Sequence, residues 1–322
     1  MKLSTSLIAL GMAAATAAMP QPRVEKPVGK WFDRYVVIVF ENNNKDVTFG
    51  HPYWYNLTEM GMVLGDFHGT THPSQPNYIT MISNTIAGGV FDDADHNTTQ
   101  MSLIDLFEPA GITWKAYMEG YTPLSDGGCN PISEDDETLY VRKHNPFMSF
   151  DNIRNNTKRC RNIVNAEQHF VNDVALGADA PMYMFITPNL DNDAHNTNVS
   201  YAAPALQHYV DTMLNNADFM KNTMILITFD ENDIYSPKYF GTDNNIYSVL
   251  LGNDTLQCYN CNDQQYYNHF SQVVTIEQNW GLDFIPQPDG SDEGWDQWWL
   301  PFGLLRNDGQ DICESSPCDF FN

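Results

Sequence analysis

Six runs that are apolar almost throughout set the strongest limit on how this chain can fold. They are "RYVVIVF" (34–40), "MVLGDF" (62–67), "TWKAYM" (113–118), "PMYMFIT" (181–187), "MILITF" (224–229) and "IYSVLLG" (246–252). A half-exposed strand alternates apolar and polar residues, whereas a strand covered on both faces reads as a continuous apolar run. Segments with helical periodicity lie between many of these runs: "MSLIDLFEPAG" (101–111), "NAEQHFVNDVALG" (165–177), "APALQHYVDTMLNNADFM" (203–220) and "FSQVVTIEQNWG" (270–281). Gly111, Gly177 and Gly281 stand where left-handed C-caps belong. Buried strands alternating with amphipathic helices predict an α/β fold around a mostly parallel sheet.

Residues 1–18 read as a secretory signal peptide. Lys2 precedes the apolar "LIALGMAAATAA", which ends in a small-x-small cut site at Ala15 to Ala17. No apolar stretch approaches the roughly 20 residues a membrane helix needs, so no transmembrane anchor is expected. Residues 19–322 should then form one domain, with irregular insertions near 120–160 and 230–268. Asn56, Asn97, Asn155, Asn198 and Asn253 each begin an Asn-x-Ser/Thr triplet, which suits N-linked glycans on a secreted or cell-wall protein. The cysteine count of six is even, as disulfides in an oxidising compartment require. Spacing leaves the pairing open; we expect Cys129 with Cys160, Cys258 with Cys261 and Cys313 with Cys318, the last two as local clips. A net charge of -25 excludes a nucleic-acid backbone as the main partner.

Polar chemistry gathers directly after the apolar runs. "VVIVF" leads into Glu41 and Asn42, "PMYMFIT" into Asn189, Asp191, Asp193 and His195, and "MILITF" into Asp230 and Glu231. Open parallel sheets bind ligands at the carboxyl ends of their strands. Three strands thus deliver carboxylates, amides and a histidine to one edge, and a divalent cation is the simplest counter-charge. "DNDAHN" and "DENDIY" lack the ligand pattern of an EF-hand.

Ser74, in "THPSQPNYI", follows the run at 62–67 and opens an apolar helical stretch. An isolated serine there is usually a helix cap. Beside a polyanionic cation site, its hydroxyl becomes a candidate nucleophile toward phosphorus.

Taken in order, "FEN", "HPSQPNY", "KHNPF", "FITPNLDNDAH", "TFDEND" and "NHFS" resemble the secreted phosphoesterase family of fungal acid phosphatases and phosphatidylcholine-preferring phospholipases C. The resemblance spans roughly Trp31 to Gly281. It implies a three-layer α/β/α sandwich of the alkaline-phosphatase type and a secreted acid phosphatase acting on small phosphate monoesters through a phosphoserine. It further implies that Glu41, Asn42, Asp230 and Glu231 hold the cation beside Ser74. Asp191, His195 and His269 resemble a second cluster that binds a further metal or assists the leaving group. His144, Lys143 and Asn77 resemble phosphate-contacting residues. An oxygen-rich donor set suits Mg, Ca or Mn more than Zn. Within the family, a phosphodiesterase or phospholipase C is the alternative. A rival of another class is a non-catalytic glycoprotein that binds metal or sugar, supported by Trp295, Trp298 and Trp299 in "GWDQWWLPFG". A sulfatase is excluded, because "CNPIS" carries Ser133 where that signature requires arginine.

Overall fold

The computed structural model describes residues 26–86, 92–234, 238–252, 255–286 and 301–303. The signal peptide, Asn253, Cys313, Cys318 and the three tail tryptophans lie outside the described residues.

The chain enters through β1 (Arg34–Phe40), the short α1 (Lys45–Phe49), α2 (Pro52–Met60), β2 (Met62–His68) and α3 (Ser74–Thr80). Next come α4 (Leu103–Phe107), β3 (Trp114–Met118) and the two-stranded ribbon β4 (Glu134–Asp135) and β5 (Tyr140–Val141). The short α5 (Asp151–Arg154) and α6 (Thr157–Cys160) lead to β6 (Ile163–Asn165), α7 (Ala166–Val174) and β7 (Tyr183–Thr187). The last elements are α8 (Val199–Leu214), α9 (Ala217–Met220), β8 (Thr223–Phe229), β9 (Ser248–Gly252), β10 (Cys261–Asn268) and α10 (His269–Trp280).

Eight strands form one sheet in the order β10-β2-β9-β8-β1-β7-β3-β6. All its pairings are parallel except those of β9, which runs antiparallel to β2 and β8. At its centre Tyr35 faces Tyr183 on one side and Met224 on the other. Every residue of β1, β7 and β8 is buried, the burial their apolar runs predict. Aromatic packing ties the covering layers to the sheet: Trp54 of α2 meets Phe40 edge-on at 4.9 Å, and Trp114 stacks on Phe147 at 5.3 Å. Gly281 closes α10 at φ 61, a left-handed geometry that favours glycine.

The regions expected to be irregular hold more order than that. Besides β9, which lies on the expected run at 246–252, residues 230–268 include the edge strand β10, whose "CNDQQYYN" is too polar to announce itself; its burial alternates because one face meets solvent. Residues 120–160 contain the ribbon, two single-turn 3₁₀ segments and two one-turn helices. The helix expected over 101–111 shortens to α4, which ends before Pro109. Cys129 bonds Cys160 and Cys258 bonds Cys261, as expected. Asn56, Asn97, Asn155 and Asn198 are all exposed. Asn198 caps α8 through its side-chain oxygen, accepting from the Ser200 and Tyr201 amides.

Candidate active site

The carboxyl ends of β1 and β8 stand side by side, so Glu41 and Asp230–Glu231 meet at one point on the sheet edge. Ser74 joins them from the loop after β2. Pro73 occupies the N-cap position and Ser74 is the first helical residue, so its hydroxyl caps nothing. It lies instead 3.0 Å from Glu41 Oε2 and 3.5 Å from Glu231 Oε1. Ser74 and the carboxylates of Glu41, Asp230 and Glu231 are all buried, Asp230 and Glu41 completely.

The backbone is shaped to hold this arrangement. Asn42 adopts φ 36, a region asparagine tolerates better than most residues. Its N–H thereby reaches Asp230 Oδ1 at 3.3 Å. The Asn42 amide terminus stands 3.2 Å from both Glu41 Oε2 and Glu231 Oε1. Behind Asp230, His269 Nε2 meets the Asp230 carbonyl at 2.6 Å. On the other side Gly69 approaches so closely that a Cβ would stand 2.7 Å from the same oxygen.

Burial without compensation dominates the electrostatics. Desolvation, then the neighbouring Asp230 and Asp193, push the Glu41 carboxyl well above its ordinary value. Burial and Glu231 do the same to Asp230. Glu231 is pushed up to about 8 by burial and by Asp93. Burial, Lys143 and His195 hold the His144 imidazole far below its usual value. Its Nε2 stands 3.2 Å from Glu41 Oε1 and its Nδ1 3.3 Å from Asp193 Oδ2. Tyr78 stacks on its ring at 5.0 Å.

Among the described residues no three His, Cys, Asp or Glu side chains close on a common point as a metal centre does. The donors nonetheless suit a hard cation. Three crowded carboxylates and one amide offer oxygen, and Glu41 Oε1 and Asp230 Oδ2 lack a hydrogen-bond partner among the described residues. Such buried, mutually repelling oxygens cost free energy unless protons or a cation neutralise them.

The other sequence-derived residues divide. Asn77 is tied to Thr71 by two hydrogen bonds and lies 3.5 Å from Glu231 Oε2. Lys143 donates to Asp93 Oδ2 at 3.0 Å; burial lowers its pKa, but Asp93, Glu41 and Asp230 outweigh that and raise it. His195 is partly exposed with its ring centroid 5.8 Å from that of His144, and burial lowers its pKa. His269 sits behind the site, fully buried, its pKa lowered to about 4 by desolvation. Asp191 stands apart. Its backbone N–H donates to Asn189 Oδ1 and its carbonyl accepts from the Thr197 hydroxyl, and Asp193 is the carboxylate of that loop that faces His144. Ala194, at φ 80, is the strained residue that separates Asp193 from His195.

Asp193, named from sequence only among the polar residues after its strand, is fully buried in the cluster. Two further participants were not among the sequence-derived site residues: His72 Nδ1 contacts Glu231 Oε2, and Asp93 joins Lys143 to the Gln75 N–H at 3.0 Å. His72 carried a signal, two residues before Ser74. Asp93 carried none.

A model of the phosphoesterase family matches residues 49–283, most of the chain. The chain belongs to the phosphoesterase family. It is 35% identical to a probable acid phosphatase of Kluyveromyces lactis over 86% of this chain and 65% of that protein. It is 34% identical to an acid phosphatase of Aspergillus fumigatus over 84% of this chain and 60% of that one. The chain thus spans less than two thirds of the length of these relatives. Its fold resembles a protein of the alkaline phosphatase superfamily from Vibrio parahaemolyticus, with a TM-score of 0.54 at 11% identity, over 81% of this chain and 70% of that one. The fold is therefore the expected α/β type, a mostly parallel sheet with helices around it, like that of the alkaline phosphatases.

Proposed function

We propose that this phosphoesterase is a secreted acid phosphatase that hydrolyses phosphate monoesters through a phosphoserine on Ser74. One observation carries the reading: a buried serine hydroxyl, freed from capping, donates to Glu41 Oε2 at 3.0 Å inside a cluster of uncompensated carboxylates. The acid phosphatases among its relatives support it.

Glu41 is the acceptor toward which the Ser74 proton points as its oxygen attacks phosphorus and the ester oxygen departs as alcohol. Water then cleaves the phosphoserine, restoring the Ser74 O–H and releasing inorganic phosphate. Asn77 and Lys143 would steady phosphoryl oxygens, and His144, beside Glu41, would hold its orientation. His195, partly exposed beside His144, is the candidate to meet the leaving alcohol. Glu41, Asn42, Asp230 and Glu231 would hold a divalent cation, which when bound neutralises charge on the attacking and phosphoryl oxygens.

The two disulfides suit export to an oxidising compartment, and the exposed Asn56, Asn97, Asn155 and Asn198 would carry glycans. Hydrolysis of a monoester, a diester and phosphatidylcholine should be compared with and without a chelator. The monoester should be preferred and the chelator should abolish turnover. Acid quenching during turnover should trap a phosphopeptide containing "THPSQPNY", with retention of configuration at phosphorus. Inversion would mean that water attacks directly.

A further inference from the structure

Ser74 and Glu231 come from strands that are not neighbours. β9 lies between β2 and β8 in the sheet, so the loops leaving their carboxyl ends start roughly 10 Å apart, two strand spacings. β9 runs antiparallel to both. The residues leading into it therefore arrive at the same edge, in the gap between those two loops. Asn244, four residues before β9 begins, fills that gap.

Hydrogen bonds tie Asn244 to the loops on both sides. Its Oδ1 accepts at 2.9 Å from the N–H of Asn232, the residue directly after Glu231. Its Nδ2 donates at 3.0 Å to the carbonyl of Thr71, three residues before Ser74. Its own carbonyl accepts from the Gly69 N–H at 2.8 Å. A carboxamide offers an acceptor at one terminus and a donor at the other, and the two backbone partners here use one each. The fit is close: a Cβ on Gly69 would stand 2.5 Å from Asn244 Nδ2. The Thr71 carbonyl also accepts from Asn77 Nδ2 at 2.8 Å, and that nitrogen lies 3.5 Å from Glu231 Oε2. The link is thus a closed ring, from Glu231 through Asn232, Asn244, Thr71 and Asn77 back to Glu231.

We propose that Asn244 is a positioning residue that sets the distance between the Ser74 hydroxyl and the carboxylates facing it. The proposal rests on the phosphatase reading above and adds a residue that governs its chemical step through Thr71 and Asn232. The carboxylates have supports of their own. The Glu41 N–H donates to the Asp193 carbonyl at 2.9 Å, the Asp230 N–H donates to the Phe40 carbonyl at 2.9 Å, and His269 meets the Asp230 carbonyl from behind. Loss of the Asn244 side chain therefore releases the Ser74 loop against a carboxylate cluster that stays in place. A reacting group misplaced by about 1 Å can lose about 10²-fold in rate.

The test uses the full chain with 4-nitrophenyl phosphate as the monoester. Asn244→Ala removes both side-chain bonds. Asn244→Asp keeps the size and the acceptor for Asn232 but sets a carboxylate oxygen against the Thr71 carbonyl. Both variants should fold, because the backbone there keeps its own pairing: Gly69 N–H to the residue 244 carbonyl, Ile246 N–H to the Phe67 carbonyl, and the bridge between His68 and Asn245. Both should lower kcat by about 10- to 100-fold and leave KM within about threefold. Amide hydrogen exchange should quicken in peptides covering residues 69–78 and stay as in wild type over β1. An unchanged kcat, or a KM that rises while kcat holds, overturns the proposal. So does a lower kcat with exchange raised equally over β1, the mark of plain destabilisation. If the wild type turns over no monoester, the phosphatase reading falls and exchange alone decides. Quickening confined to 69–78 in Asn244→Ala then upholds the role of Asn244, and unchanged exchange there overturns it.

Discussion

Strand β1 carries a buried ionisable residue at each end, and their environments are opposite. Arg34 at its start is surrounded by acceptors. Its guanidinium donates to the carbonyls of Pro181, Phe219 and Gly177 at 3.0, 2.5 and 2.9 Å and to Thr223 Oγ1 at 3.2 Å, and it lies 4.3 Å from the Phe219 ring. Burial lowers its pKa to about 10, which leaves it charged at any physiological pH. Glu41, just past the strand's end, has Asp230 and Asp193 around it, and its Oε1, 3.2 Å from His144 Nε2, makes no hydrogen bond among the described residues. The same strand thus ends in a saturated charge on one side and a frustrated cluster on the other. Saturation is what a structural charge needs, whereas frustration is tolerated where a substrate or cation supplies the missing partner.

The sharpest way to break this contrast is to alter one residue at each end. Ser74→Ala should reduce kcat by about 10³-fold or more while costing only about 1 kcal/mol of stability for one lost hydrogen bond. Arg34→Met should do the reverse, orphaning several buried carbonyls and destabilising by roughly 3 kcal/mol or more. The surviving folded fraction should keep normal turnover. Steady-state kinetics and urea unfolding distinguish the two outcomes. Loss of chemistry in folded Arg34→Met would show that the two ends are not separable.

A smaller effect follows from relieving the crowding itself. Asp230→Asn should abolish turnover and stoichiometric cation binding, yet raise the stability of the chelated protein by about 1–2 kcal/mol, because one buried like charge is gone. Thermal unfolding in the presence of a chelator checks the sign.

The pH dependence has the same origin. A carboxyl raised in the folded state binds more protons there than in the unfolded chain between the two pKa values. Stability therefore falls as pH rises through that window. For Glu231 the window runs from its ordinary 4.5 to about 8, and Glu41, Asp193 and Asp230 shift in the same direction. The chelated protein should melt at progressively lower temperature from pH 5 to pH 8, and saturating divalent cation should flatten the trend. A chelated protein that grows more stable over that range would contradict the frustrated-cluster account.

The smallest effect concerns Asp93, whose carboxylate occupies Lys143. Asp93→Asn should free that ammonium and tighten competitive inhibition by inorganic phosphate, by at most about 1 kcal/mol for a partly exposed pair. An unchanged inhibition constant would place Lys143 outside phosphate contact.

Much of this was legible along the chain because burial on two faces leaves a one-dimensional trace. β1, β7 and β8 are apolar throughout since helices cover both sides of the central sheet, and Glu41, Asp230 and Glu231 were readable as the residues directly beyond them. The edge strand β10 left no such trace, because its exposed face admits "NDQQ" at no cost. Nor did the run at 246–252 reveal that β9 would be antiparallel, since apolarity reports burial and not direction.

The amino-acid sequence by itself determined a mostly parallel α/β sheet and the carboxylates at the sheet edge. Each follows from local pattern: continuous apolarity, and polar residues where strands stop. Only the tertiary structure decided which groups face each other. The left-handed turn at Ala194 separates Asp193, facing His144, from His195. A loop closed by Cys129–Cys160 carries His144 to Glu41 across more than a hundred residues. The Ser74 hydroxyl serves Glu41 rather than its own helix because Pro73 has taken the N-cap position. These contacts join distant parts of the chain, and the direction of a side chain there is set by the packing around it.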